Sequence, residues 1–350
     1  MKGVKEDSAS NEKESVWRAV TKDDVSLTGD RPTGCLHLGH YVGSLRTRLY
    51  LQDRCEQWIM VADQQALTDH LGTSQLSDSV IEVVLDYLSV GLDPTKTTIF
   101  LQSAVPQIAE LSLYYLNLVS VNRLRHNPTV KQEIRQKNWS ESIPAGFLTY
   151  PVSQAADITA FQSTLVPVGR DQLPMIEQTN EIVEAFQARY GDGLRRVRAL
   201  IPPHHGRLPG IDGGQKMSKS LGNGIALSEP PDALRSKVMQ MYTDPNHIRV
   251  DDPGQVEGNV VFTYLDAFAS DSEEVKSLKE HYQRGGLGDV TLKKRLVEVL
   301  EGFLSPIRDR RAQWDEGHIY DILRQGSKKA REAAQSTLDQ VKKSMHMVVL

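Results

Sequence analysis

Two imidazoles, His37 and His40, share the stretch Gly29-Asp30-Arg31-Pro32-Thr33-Gly34-Cys35-Leu36-His37-Leu38-Gly39-His40. Two ammonium groups, Lys216 and Lys219, share Lys216-Met217-Ser218-Lys219-Ser220 far downstream. The first stretch follows the apolar run Val25-Ser26-Leu27 and precedes a helical pattern from Tyr41 to Leu51, an order that reads strand, turn, helix. Glycines at 34 and 39 admit a ligand close to the backbone, and the helix start offers unpaired N–H groups to an anion. Imidazoles there can hydrogen-bond phosphate oxygens without a permanent charge. A His-x-x-His metal pair is the competing reading, but no Cys or third His stands at supporting spacing. The second stretch has glycines on both sides, Gly213-Gly214 and Gly222, so its lysines ride on a loop that can move. Mobile ammonium groups can follow a departing pyrophosphate. Alone, such a loop reads as a solvated basic turn; paired with the upstream stretch it reads as half of an ATP phosphate site.

The elements that must position these groups follow from the pattern. Runs at Trp58–Asp63, Thr97–Gln102 and Leu165–Val168 read as strands, alternating with helical patterns after Thr73 or Ser74, from Pro106 to Leu118, from Lys131 to Ser142, from Ser153 to Phe161 and from Leu173 to Tyr190. Such alternation implies an α/β chain with a doubly wound parallel sheet. Asp63-Gln64-Gln65 and Gly169-Arg170-Asp171-Gln172 fall where strands end, the usual place for ligand groups. Asp157, among Ala155, Ala156 and Ile158, is either a chance exposed helix position or a hydrogen-bond acceptor in a pocket. From Glu229 onward the chain reads as helices. The expected division is a flexible extension over 1–24, a catalytic domain over 25–228 and a helical domain over 229–350.

At 350 residues with 25% charged and 39% apolar residues, the chain has an ordinary globular balance. No segment reaches the roughly 20 apolar residues of a membrane span. Met1–Glu14 lacks the apolar core of a secretory signal. Two cysteines, Cys35 and Cys55, with no CxxC fit a reducing cytoplasm. A net charge of −4 excludes indiscriminate coating of nucleic acid, so RNA contact must come from local patches, and no DNA partner is expected. Candidates are Arg123, Arg125, Lys131, Arg135 and Lys137; Arg189, Arg195, Arg196 and Arg198; and Arg324, Lys328, Lys329 and Arg331, each of which could equally be a solvated helix face.

In this order, Pro32-Thr33-Gly34, His37-Leu38-Gly39-His40-Tyr41, Asp63-Gln64, Leu148-Thr149-Tyr150-Pro151, Ala155-Ala156-Asp157-Ile158, Val166–Gln172 and Lys216–Ser220 resemble the tryptophanyl-tRNA synthetases of class I over about residues 25 to 345. The resemblance implies a Rossmann-like nucleotide-binding domain with a C-terminal anticodon-binding helical domain, Mg2+ and ATP, L-tryptophan and tRNA(Trp) as partners, and a homodimer. His37, His40, Lys216 and Lys219 would be catalytic. Arg31, Pro32, Thr33, Gly39, His40, Lys131, Gly169, Arg170, Asp171, Leu208, Met217, Ser218 and Ser220 would join the two lysines in holding ATP, and no residue would hold a metal. Asp157 would accept the indole N–H, with Tyr150, Gln154, Gln172, Leu27 and Val168 around the amino acid. Arg31, Gln65, Gln154 and Met175 depart from the family's usual Gln, His, Met and His, and Leu221-Gly222 stands where an acidic residue is common. Three alternatives stay open: a tyrosyl enzyme, which should show a Tyr and an Asp on the helix of Asp157; a synthetase-like binding protein, which should have lost these histidines or lysines; and an adenylate-former with a non-tRNA acceptor.

Overall fold

The computed structural model describes residues 20–68, 75–137, 139, 142–201, 208–214, 217–218 and 221–349. Lys216, Lys219, Ser220, the Thr73/Ser74 helix cap and most of the N-terminal extension lie outside these residues. Five parallel strands form one sheet in the order β3-β2-β1-β4-β5. They are β1 (Val25–Asp30), β2 (Glu56–Val61), β3 (Thr97–Leu101), β4 (Leu165–Pro167) and β5 (Arg198–Leu200). β1 pairs in register with β2 through Val25–Glu56 to Asp30–Val61, and touches β4 at Ser26–Leu165. The chain runs outward from β1 to β3, then returns to β1's other side, so a crevice opens at the carboxyl ends of β1 and β4.

Both faces of the sheet are covered, as a parallel sheet requires. Along β2, Ile59 and Val61 point into one apolar core and Trp58 and Met60 into the other, the period of two that a strand imposes. The first core takes in Leu36 and, from the helical segment after it, Leu38, Val42 and Leu45, where α1 (Leu38–His40) runs through a π-helical turn (Tyr41–Leu45) into α2 (Arg46–Leu51). α3 (Asp63–Ala66) follows β2, and α4 (Leu76–Ser89) adds Val80, Val83, Val84 and Tyr87. The same core runs on without a break into α10 (Pro231–Met239), α11 (Val260–Phe268), α12 (Ser272–Arg284) and α13 (Asp289–Arg311). The second core is built by α5 (Pro106–Tyr115), α8 (Ala145–Ala160), α9 (Leu173–Tyr190) and α14 (Glu316–Ser344). The short helices α6 (Val121–His126) and α7 (Pro128–Gln136) join α5 to α8.

Two local readings change. The helix carrying Asp157 starts at Ala145, not Ser153, and keeps Pro151 inside it. Burial of Phe147, Tyr150, Pro151 and Val152 outweighs the one backbone bond that proline forfeits. α7 ends at Gln136, short of Ser142. β5 gives no sequence signal because only three residues of it are in the sheet, two of them half-exposed.

α14 closes the open edge of β3. Ser327 Oγ accepts the Leu101 N–H at 3.2 Å, and Lys329 Nζ donates to Thr98 Oγ1 at 3.0 Å while lying over the Trp58 ring. The contact needs Gly326, since a Cβ there would stand 1.8 Å from the Ile99 carbonyl oxygen. Gly326→Ala should therefore lose about 3 kcal/mol in urea unfolding. The exposed helical Gly302, with no atom near its would-be Cβ, should gain up to about 1 kcal/mol as alanine.

Candidate active site

The stretch from Asp30 to His40 leaves the end of β1 and the stretch from Val168 to Gln172 leaves the end of β4, so both line the crevice. His37 is extended and buried, and its ring lies 3.8 Å from that of His40 between centroids. The His37 backbone N–H donates to His40 Nδ1 at 3.1 Å. A neutral His40 therefore carries its proton on Nε2, as a donor suited to a phosphate oxygen. Gly39 is required by packing: a Cβ there would sit 2.9 Å from the His37 ring.

The second motif is brought against the first by backbone pairing. Leu38 N–H donates to the Ile225 carbonyl at 2.9 Å and Leu227 N–H to the Leu36 carbonyl at 3.0 Å, with His37 and Ala226 bridged antiparallel between them. Met217, only 2% exposed, turns its sulfur to the Gly39 N–H at 3.4 Å and donates its own N–H to the Leu208 carbonyl at 3.3 Å. Gly224 is as constrained as Gly39, since a Cβ would meet Met217 Cγ at 3.1 Å. Leu208, Met217, His37 and Gly39 thus form one wall. Pro32 is buried in the loop before it, while Arg31 and Thr33 face outward.

A residue that sequence reading passed over holds the loop. Asn223, buried, accepts the Ser218 N–H on Oδ1 at 2.8 Å and donates through Nδ2 to Asp212 Oδ1 at 3.2 Å, while its carbonyl takes the Ile211 N–H at 2.9 Å. One amide side chain thereby ties both ends of the loop to its middle. Asn223 stands next to Gly222, where it reads as an ordinary turn residue, and nothing in its type signals the clamp.

On the other wall, Tyr150, Gln154 and Asp157 lie on one face of α8 by their i, i+4, i+7 spacing. Asp157 is 3% exposed. Of the two readings left open by the sequence, the exposed one is excluded. Burial raises its pKa to about 7, opposed by the Gln102 Nε2 donor at 2.8 Å from Oδ1. Gln102 is itself fixed, its Oε1 accepting the Gln65 N–H at 3.1 Å. Tyr150 packs with Val130, Phe147 and Met175, and burial keeps its phenol neutral, reinforced by Glu133 and opposed by Arg31. Leu27 is buried in β1 and Val168 half-buried beyond β4, its N–H bonded to the Leu200 carbonyl at 3.0 Å. Gln172 is turned to its neighbour, Nε2 donating to Asp171 Oδ2 at 3.3 Å.

Gly169, Arg170 and Asp171 are exposed at the crevice rim. Lys131 is exposed on α7, whose start is tied to that rim by Thr129 Oγ1 donating to the Asp171 carbonyl at 3.2 Å and by Asn127 Nδ2 donating to the Pro174 carbonyl at 3.2 Å. Below the histidines lies a second feature the sequence did not flag. Asp30 accepts the Tyr87 hydroxyl at 2.7 Å and pairs with buried Arg48 at 2.8 Å. Burial would raise this carboxyl, but the charges of Arg48 and His40 and the two hydrogen bonds hold it below its ordinary value. Cys35, by contrast, is pushed up to about 11 by burial and Glu82, and is no nucleophile at neutral pH.

Asn223→Ala removes two side-chain hydrogen bonds, each worth about 1 kcal/mol. Trypsin should then cut between Asp212 and Asn223 about tenfold or more faster than in the unaltered protein, with cleavage elsewhere unchanged.

Residues 21–305 match the family of class I tRNA synthetases for W and Y. A tryptophan–tRNA ligase of Streptococcus pyogenes is 59% identical over 331 residues, covering 92% of this chain and 97% of its own. That of Clostridium longisporum is 58% identical over 329 residues, covering 92% and 96%. Among solved structures, the Campylobacter jejuni tryptophanyl-tRNA synthetase complexed with ADP and tryptophan superposes with a TM-score of 0.82 at 27% identity, covering 92% of this chain and 100% of that one. An Archaeoglobus fulgidus tyrosyl-tRNA synthetase shares the fold at 21% identity with a TM-score of 0.66. With the family model matched over residues 21–305 and tryptophan–tRNA ligases 58–59% identical over 92% of its length, the chain belongs to the tryptophan branch of the class I aminoacyl-tRNA synthetases.

Proposed function

We propose that this chain is a tryptophan–tRNA ligase whose crevice between β1 and β4 joins tryptophan to ATP. The observation that carries the reading is the meeting of His37, Gly39 and Met217 in one wall opposite the buried Asp157. A carboxylate oxygen of tryptophan attacks the α-phosphorus, the bond to the β-phosphate oxygen breaks, and pyrophosphate leaves. The terminal ribose hydroxyl of tRNA(Trp) then attacks the carbonyl carbon of tryptophanyl-adenylate and AMP departs. No covalent enzyme intermediate is needed, so positioning and charge stabilisation carry the rate.

His37 and His40 face the phosphates, His40 through Nε2–H, and Lys216 and Lys219 follow the pyrophosphate on a loop tethered by Met217 and Asn223. Arg31, Pro32, Thr33, Gly39, Lys131, Ser218 and Ser220 complete the polyphosphate cradle. Gly169, Arg170 and Asp171 take the ribose, and Leu208 with Met217 takes adenine. These donors are N–H, imidazole and ammonium groups, which suit phosphate oxygens; Mg2+ enters as the counter-ion of the ATP substrate. Asp157 accepts the indole N–H, Leu27 and Val168 flank the ring, and Tyr150, Gln154 and Gln172 surround the amino-acid end. The helices from α10 onward are the tRNA-reading part. The homodimer forms on the β3–β4 connection, where Leu113 and Val121 are each 60% exposed; Leu113→Glu with Val121→Glu should give a monomer in sedimentation velocity.

Tryptophan-dependent exchange of labelled pyrophosphate into ATP, followed by charging of tRNA, tests the reading directly. Its pH dependence tests Asp157. Indole binding needs the ionised carboxylate, and a pKa near 7 means that protonation competes below neutrality. The KM for tryptophan should rise about tenfold per pH unit below that point and level off above it. Asp157→Asn should weaken tryptophan about 10- to 100-fold, the worth of a charge-assisted hydrogen bond, and remove that pH dependence. A KM that stays flat from pH 5.5 to 8.5 in the unaltered protein would assign the indole to another acceptor.

A further inference from the structure

The ribbon that joins the two motifs is itself held from behind by a helix that belongs to neither. Arg308 and Arg311 lie three residues apart in the last turn of α13, on one face of the helix. Arg311 Nη1 donates to Asp86 Oδ1 at 2.7 Å, and the other oxygen of Asp86 accepts the Leu36 N–H at 2.5 Å. Asp86 is fully buried, so its charge requires these partners. Arg311 Nη2 reaches Glu82, which also accepts the Cys35 thiol at 3.0 Å. Both residues immediately before His37 are thus anchored to carboxylates of α4 that Arg311 bridges.

Arg308 reaches the opposite strand of the ribbon through a main-chain carbonyl. Its Nη1 donates to the Glu229 carbonyl at 3.0 Å, and Glu229 Oε2 accepts the Ala226 N–H at 2.9 Å and the Lys237 ammonium at 2.6 Å. Lys237 in turn donates to the Gly224 carbonyl at 2.8 Å, beside Met217. Ala226 is the residue bridged to His37.

We propose that Arg308 and Arg311 are positioning residues for adenylate formation, which set the ribbon of residues 36–38 and 225–227, and with it His37 and Met217, Arg311 through the Asp86 carboxylate and Arg308 through the main chain of Glu229. The proposal rests on the ATP reading of the two motifs. A displacement of about 1 Å in groups that orient reacting atoms costs on the order of a hundredfold in rate. The relay runs through the core that contains Leu36, Ile225 and α13, whereas the residues flanking Asp157 belong to the core on the other face of the sheet. Loss of the relay should therefore be felt at ATP and not at tryptophan.

The test compares Arg311→Met, Asp86→Asn and the double variant, with Arg311→Lys as the conservative change, in tryptophan-dependent pyrophosphate exchange. Each single variant is expected to lower kcat/KM for ATP at least tenfold while the KM for tryptophan stays within twofold. Arg311→Lys should recover part of the loss. The double variant, which leaves no buried charge unpaired and so keeps the fold where a single one fails, should be no worse than the worse single. Amide hydrogen exchange gives a readout apart from activity: in Arg311→Met or the double variant, the peptide covering Leu36 should exchange at least tenfold faster while those of β2 do not change. Losses that multiply in the double variant, parallel shifts at ATP and tryptophan, or unchanged exchange at Leu36 would each overturn the relay. If the unaltered protein shows no exchange of pyrophosphate, the ATP reading falls, and hydrogen exchange alone decides whether Arg311 sets this backbone.

Discussion

Everything chemical in this molecule depends on six residues of backbone, Leu36–Leu38 and Ile225–Leu227, lying side by side. Sheet topology brings His37 and His40 to the end of β1, but it says nothing about where a loop almost two hundred positions later should sit. The paired N–H and carbonyl groups supply that answer, because with Leu36, Leu38, Ile225 and Leu227 in the core the ribbon's polar groups must be paired within the protein. A one-residue slip would turn those four side chains out of the core, so register is fixed by burial rather than by the motif residues themselves. Gly39 and Gly224 then let the two histidines and Met217 close to contact.

The buried carboxylates show how one residue type is set to different tasks by its surroundings. Asp30 faces Arg48, Tyr87 and the imidazole of His40, and its charge is stabilised despite burial. Asp86 is fully buried between an arginine and a backbone N–H, a structural arrangement that commits both oxygens. Asp157 has, among the described residues, the neutral amide of Gln102, and burial raises it toward neutrality. A carboxylate left so poorly compensated is costly to the fold unless a ligand donor repays it, which is why the position reads as a binding site rather than as a structural pair.

The parts legible in the sequence were those with a local signature. Strand and helix alternation, the glycine-rich turn after β1 and the strand-end polar runs at 63–65 and 169–172 follow from periodicity and turn chemistry, and each is where the pattern put it. The helix of Asp157 was cut short because Pro151 is a strong local breaker, and its burial against Phe147 and Val152 is a tertiary fact. Asn223, Gln102 and Asp86 stayed invisible for a related reason. Their roles lie in partners up to 225 positions away, and an Asn beside a glycine or an Asp inside an amphipathic helix carries the same local statistics whether it is a clamp or a solvated surface group. The apolar continuity from α4 into α10–α13 was hidden likewise, since composition shifts at 229 while the core does not.

That continuity bears on how specificity and chemistry are divided. The sheet separates two apolar cores, and the wall of His37 and Met217 grows out of one while Ala155, Ala156 and Ile158, which flank Asp157, grow out of the other. Asp30 and Val168 lead out of the carboxyl ends of β1 and β4 into the crevice. Packing around Asp157 is therefore separate from the core beneath His37 and Met217, and Met175 packs with Tyr150 in a smaller cluster of its own with Val130 and Phe147. α4 and α13, in contrast, touch the ribbon, through Asp86 and through Arg308 on Glu229. A parallel sheet buried on both faces makes this partition a consequence of topology, because adjacent residues of one strand, such as Ile59 and Met60, already answer to different cores.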